Sequence, residues 1–178
     1  MIINRRWLED RGACDKGAEW FLAQGITEPV AGLINLIQND KLAWANWLIM
    51  HVMTKHQCLA YKIFSAEQVL PIYEAKHPNE LEPRKAIEAA KAVLVNDTEK
   101  TRRAAAAYIA YVCFTSSTYA ADPAADYAWY ASYASYDYSR ASYDYVYART
   151  AANAAINAKQ QMHLKILNYG VSLLKEKP

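Results

Sequence analysis

Apolar positions along this chain recur at the three- and four-residue spacing of helices, and capping residues interrupt them at intervals. The stretch from Arg5 to Arg11 reads as a short helix ended by Gly12. Asp15 reads as the N-cap of a helix carrying Trp20, Phe21 and Leu22, with Gly25 placed to close it. Thr27 then caps a segment with Pro29 early and Leu33, Ile34, Leu36 and Ile37 inside it. Asp40 opens the next run, Leu42 to Met50, in which Trp44 and Trp47 share one helical face.

Thr54 followed by Gln57 has the spacing of a capping box. The helix it starts carries Leu59, Ile63, Phe64, Val69, Leu70 and Tyr73, and Pro71 predicts a kink or an early end. His77, Pro78 and Asn79 read as a loop, and Pro83 suits the first turn of a helix from Arg84 to about Val95. Residues Asn96 to Glu99 form another capping signal for a helix reaching about Ala121. Asp122 and Pro123 repeat the logic, and no Gly or Pro follows until Gly170. One long helix, or two with a bend near Asn153 to Asn157, fills that stretch, and Gly170 either ends it or lies near its end. No strand alternation survives, and hairpin turn dipeptides are absent. The pattern therefore predicts an all-α, single-domain helical bundle over residues 1–178, of about six to seven helices. Short N-terminal helices occupy 5–52, central helices 55–95, and Ala/Tyr-rich helices 98–175.

The segment from Ala124 to Ala158 is mostly Ala, Tyr and Ser, and Ala makes it a strong helix former. Tyr127, Ala131, Ala134, Tyr138, Ala141, Tyr145, Ala148 and Ala152 fall on one seam with coiled-coil spacing. That seam meets either an internal helix or its twin in a second copy, which would make a homo-oligomer. A second line holds Asp126, Tyr130, Tyr133, Asp137, Arg140, Asp144 and Tyr147. Rings with an Arg and carboxylates are the composition of a binding face. The same residues also suit a solvated face laced by ion pairs, and the sequence leaves both readings open.

Charge narrows the partners. There are 20 basic and 18 acidic residues and no basic stripe, so nucleic acid is not an expected partner. Three widely spaced cysteines, Cys14, Cys58 and Cys113, do not form a disulfide framework. The N-terminus lacks a secretory h-region. The uncharged run from Ala104 to Ala121 holds Thr, Ser and Tyr, so it reads as a buried helix rather than a membrane span. A cytoplasmic protein without membrane contact is expected. His51, His56 and Cys58 lack the spacing of a zinc site, and no nucleophile elbow, phosphate loop or metalloprotease motif is present. Neither an enzyme, a metal nor a cofactor is expected. Trp20, Trp44 and Trp47 read as core, and Cys113 as a small buried residue.

Three stretches carry a family resemblance: Met53 to Tyr61 (MTKHQCLAY), Phe64 to Leu70 (FSAEQVL) and Glu82 to Ala92 (EPRKAIEAAKA). With the early Trp7-Leu-Glu, Gly12-Ala-Cys and Trp20-Phe motifs and the Ala/Tyr-rich tail, the chain resembles the Imm-5-like group of immunity proteins. Pro83 to Ala90 is the most specific piece. The resemblance implies a protein that neutralises a partner in bacterial toxin–immunity systems, also carried by phages. It implies no catalytic residue and defines no toxin contact.

Two functions follow as expectations. The first is a non-enzymatic binder that occludes a toxin or effector protein, with Tyr130, Tyr133, Asp137, Arg140, Asp144 and Tyr147 at the centre of its face. The second is a phage counter-defence sponge for a small nucleotide signal of cyclic-nucleotide or ADP-ribose type. There tyrosines stack on the base, and Arg84, Arg102, Arg103 and Arg149 hold phosphates.

Overall fold

A computed structural model describes residues 1–76, 78–79, 81–105 and 160–176, and every regular element among them is helical. The helices are α1 (Arg5–Glu9), α2 (Asp15–Ala23), α3 (Pro29–Gln38), α4 (Leu42–Val52), α5 (Lys55–Lys76) and α6 (Glu82–Val95). Residues 99–105 form α7, and Gln160–Lys175 form α8. The all-α bundle expected from the periodicity is what these residues build. The Ala/Tyr seam, the Asp126 to Tyr147 line and most of the long C-terminal helix lie outside the described residues, as do Cys113 and Arg149.

Local signals set most helix ends. Gly12 and Gly25 follow α1 and α2 with φ of 70° and 67°, the left-handed conformation that a glycine adopts without strain. The capping box is present in full: the Thr54 amide donates to Gln57 Oε1 at 3.0 Å, and the Gln57 amide donates to Thr54 Oγ1 at 3.3 Å. Pro83 sits in the first turn of α6.

Four boundaries differ from expectation. The N-cap of α3 is Glu28 rather than Thr27. Its carboxylate accepts from the amides of Val30 and Ala31 at 3.0 and 2.5 Å, while the Thr27 carbonyl is taken by the Ile3 amide at 2.8 Å. Cys14, not Asp15, is the N-cap of α2, and Asp15 becomes an acidic first-turn residue that suits the helix dipole. Asp40 does not cap α4. It takes a left-handed φ of 55°, and Lys41, whose amide donates back to Leu36 O at 2.8 Å, becomes the N-cap. Finally, α5 does not take the early end at Pro71 but continues to Lys76. Pro71 is exposed, and packing of α5 against α6 and α8 outweighs the roughly 3 kcal/mol that an internal proline costs.

The C-terminal α8 is the centre of the bundle: it packs on α3, α4 and α5. Gln57 Nε2 donates to the Leu173 carbonyl at 2.6 Å, and Phe64 stacks on Tyr169 with centroids 4.0 Å apart. Those two pairs run α5 and α8 in opposite directions. Gly170, expected at or near a helix end, lies inside α8, because a close approach to Ile49 and Tyr61 requires it there. One core cluster joins Ile3, Leu8, Phe21, Leu33, Leu36, Leu48, Ile49 and Tyr61 to Ile166, Leu167 and Val171. A second, of Leu59, Ile63, Ala66, Leu70, Ile87, Ala90, Val93 and Ala105, fastens α6 and α7 to the other side of α5, and Met162 packs against both. Among the described residues no helix is long and apolar enough to cross a membrane.

Candidate functional site

The N-terminal helices gather four tryptophans on one face. Asn4 caps α1 by accepting the Trp7 amide at 2.9 Å, which fixes where the Trp7 ring leaves the helix. The chain before it is pinned by Ile3, fully buried and bonded to the Thr27 carbonyl. In α2, Ala18 and Phe21 face the core, and the Phe21 ring lies against Gly32 of α3, where a Cβ would fall 2.6 Å from Phe21 Cζ. In α4, Trp44 and Trp47 stand one turn apart over the buried Ala45 and Leu48.

The rings meet in pairs. Trp7 and Trp47 pack edge to face with centroids 6.2 Å apart, and Trp20 and Trp44 pack at 5.8 Å with planes tilted by 49°. Each such pair adds about 0.5–1.5 kcal/mol beyond its area burial. Between the pairs opens a cavity of about 200 Å³, lined by Leu8, Cys14, Gly17, Phe21, Trp44 and Trp47 among others. All four tryptophans are half-buried rather than enclosed. Trp20, Trp44 and Trp47, expected as core, therefore pack against the core with one side and line or flank an open cleft with the other.

Two cations rest on the tryptophans around the cleft. The Arg11 guanidinium lies 4.2 Å from the centroid of Trp7. Lys41 Nζ lies 5.6 Å from Trp44 and 5.9 Å from Trp20. Contacts thus run from Arg11 through Trp7 and Trp47 to the cleft, then through Trp44 to Lys41. Neither cation has a carboxylate partner among the described residues, and no carboxylate lines the cleft. Nearby, Glu9 and Asp10 face Arg5 and Arg6 at 3.8 Å. His51 stacks on Trp47 at 4.2 Å, and its Nδ1 lies 2.7 Å from the Trp47 carbonyl. Burial lowers its pKa; the bond to the Trp47 carbonyl opposes that, and the Arg11 charge adds to it.

Three of the four arginines expected to hold phosphates lie among the described residues, and each is engaged. Arg84 makes a two-pronged contact to Glu74, with Nε and Nη2 at 2.7 and 2.6 Å from its two oxygens. Arg102 bonds Asp97 at 2.6 Å, and Arg103 bonds Glu99. They form three separate ion pairs. Tyr130, Tyr133, Asp137, Arg140, Asp144, Tyr147 and Arg149 lie outside the described residues. Among the described residues no group of three or more His, Cys, Asp or Glu side chains is placed to hold a metal ion.

One further buried polar group is His163 of α8, fully buried, with neither ring nitrogen hydrogen-bonded among the described residues. Burial pushes its pKa down to about 4, against a smaller opposing pull from Asp40.

The tryptophan cleft was not legible as a site. Trp44 and Trp47 are visibly on one face of a helix. That Trp7 and Trp20 join them depends on how α1 and α2 dock, which no local spacing encodes. The chain matches no protein-family model, no curated protein and no solved structure.

Proposed function

We propose that this protein is a non-enzymatic binder that neutralises a protein partner by covering it, and that the tryptophan cleft is its point of engagement. The observation that supports this reading is the cleft: half-buried tryptophans with an arginine and a lysine resting on them, around a preformed apolar hollow. Interfaces place most of their binding energy in a few such residues, Trp and Arg foremost, seated around a pocket. The resemblance to immunity proteins points the same way, toward a toxin or effector as the partner.

Size weighs against the nucleotide reading at this cleft. Sites for whole small-molecule ligands span roughly 300–1,000 Å³, whereas an apolar hollow of about 150 Å³ holds one benzene-sized ring. At about 200 Å³ the cleft fits one side chain of a larger partner. The test is capture from the cells that make the protein, using the wild type and two variants. Trp44→Ala with Trp47→Ala removes the walls. Gly17→Leu fills the hollow while deleting no core residue. Loss of the same polypeptide from both variants, with helical content unchanged, is the expected outcome. Capture at wild-type level by the filled variant would sink the reading.

A further inference from the structure

We infer that the cleft is built for an acidic protein segment that presents one aromatic side chain as its anchor. This rests on the reading of the cleft as the recognition site and adds the chemistry of what enters it.

The hollow sets the anchor. Its lining includes Trp44, Trp47 and Phe21 with the aliphatic Leu8 and Leu36 and holds no charged residue, so a charged group entering it would lose water without an opposite charge to meet. A planar ring instead finds three aromatic faces and edges at stacking range, and a volume of about 200 Å³ accommodates it. Gly17 keeps the wall thin: a Cβ there would sit 3.1 Å from Cys14 Sγ and 3.5 Å from the Trp44 indole, on the space a ring would use.

The cations set the flanks. Arg11 rests on Trp7, which packs on Trp47, and Lys41 rests against Trp44 and Trp20. Both hold their charge over indole faces rather than against carboxylates of the described residues. A chain lying across the cleft with its ring inserted brings the residues before and after the ring toward one cation each. Carboxylates at those positions would pair with Arg11 and Lys41, and lysines would be repelled. Within α2 the exposed Asp15 and Glu19 outweigh Lys16 by one charge, but none of the three lines the cleft, and the charges held against its tryptophans are Arg11 and Lys41.

The experiment uses the full chain labelled with nitrogen-15 and follows the indole N–H signals. The probes are three acetylated, amidated pentapeptides: Asp-Glu-Phe-Glu-Asp, the same with Ala for Phe, and Lys-Lys-Phe-Lys-Lys. The acidic phenylalanine peptide should move the Trp44 and Trp47 signals in a saturable way at millimolar concentration. Two surface charge pairs correspond to about a ten-fold preference over the lysine peptide. The alanine peptide should leave the signals in place. In Arg11→Glu with Lys41→Glu the preference should invert. Equal binding of acidic and basic peptides, or no movement with any peptide, would overturn the proposal. Repeating the cellular capture with that double variant separates the two levels. Capture that fails on filling the cleft yet survives both charge reversals would discard the acidic partner and keep the cleft as the recognition site.

Discussion

The hydroxyl of Tyr61 in α5 donates to Oδ1 of Asn46 in α4 at 2.7 Å, with both side chains buried. This bond ties the two helices across the core that α8 also enters. Burial drives the Tyr61 pKa far upward, because phenolate formation here would place a charge in an apolar site. Tyr61→Phe keeps the ring and removes the donor from a buried amide oxygen. It should destabilise the fold by roughly 1–3 kcal/mol, read as a lower urea midpoint with an unchanged slope.

Gly170 faces the same tyrosine. A Cβ built on it would fall 2.8 Å from Tyr61 Cε2, and the Ile49 side chain lies closer still. In an open helix Gly→Ala is stabilising, by about 1 kcal/mol. Here the methyl has no room, and overpacking a core costs typically 1–3 kcal/mol. Gly170→Ala should therefore lower the melting temperature, whereas the same change at a roomy helical glycine would raise it.

The two residues also show what the sequence could and could not convey. Thr54 and Gln57, Gly12, Gly25 and Pro83 act within one or two turns of chain, and their roles were legible because the physics is local. Gly170 carried an ambiguous signal: a glycine late in a helix is often a terminator. Its actual role is a contact with residues more than a hundred positions earlier, which spacing cannot reveal. Glu28 displaced Thr27 as a cap for a similar reason, since the Thr27 carbonyl is claimed by Ile3 from another segment. The tryptophan cleft is the functional counterpart: four rings from three helices, each unremarkable alone, become a site only when α1 and α2 dock against α4. The ion pair of Arg84 met the same limit, because its partner Glu74 sits across the α5–α6 connection.

His163 makes stability depend on pH. Its imidazole is buried and unpaired among the described residues, with a pKa pushed down from 6.5 to about 4. The unfolded chain then binds a proton that the folded chain refuses between those values. The contribution is fully present above pH 6.5 and is lost as pH falls toward 4. His163→Leu should flatten this part of the acid limb in denaturation midpoints recorded between pH 7 and 4. An unchanged slope in the variant would show that His163 binds its proton equally in the folded and unfolded chains.

On the proposed function, the cleft between Trp44 and Trp47 receives the partner. The most direct measurement is the indole N–H spectrum of the nitrogen-15-labelled protein, recorded free and in complex with the polypeptide captured from its native cells. The Trp44 and Trp47 signals should shift strongly on complex formation, and those of Gly17→Leu should not. A stable complex in which both signals stay at their free positions would contradict it and place recognition elsewhere on the molecule.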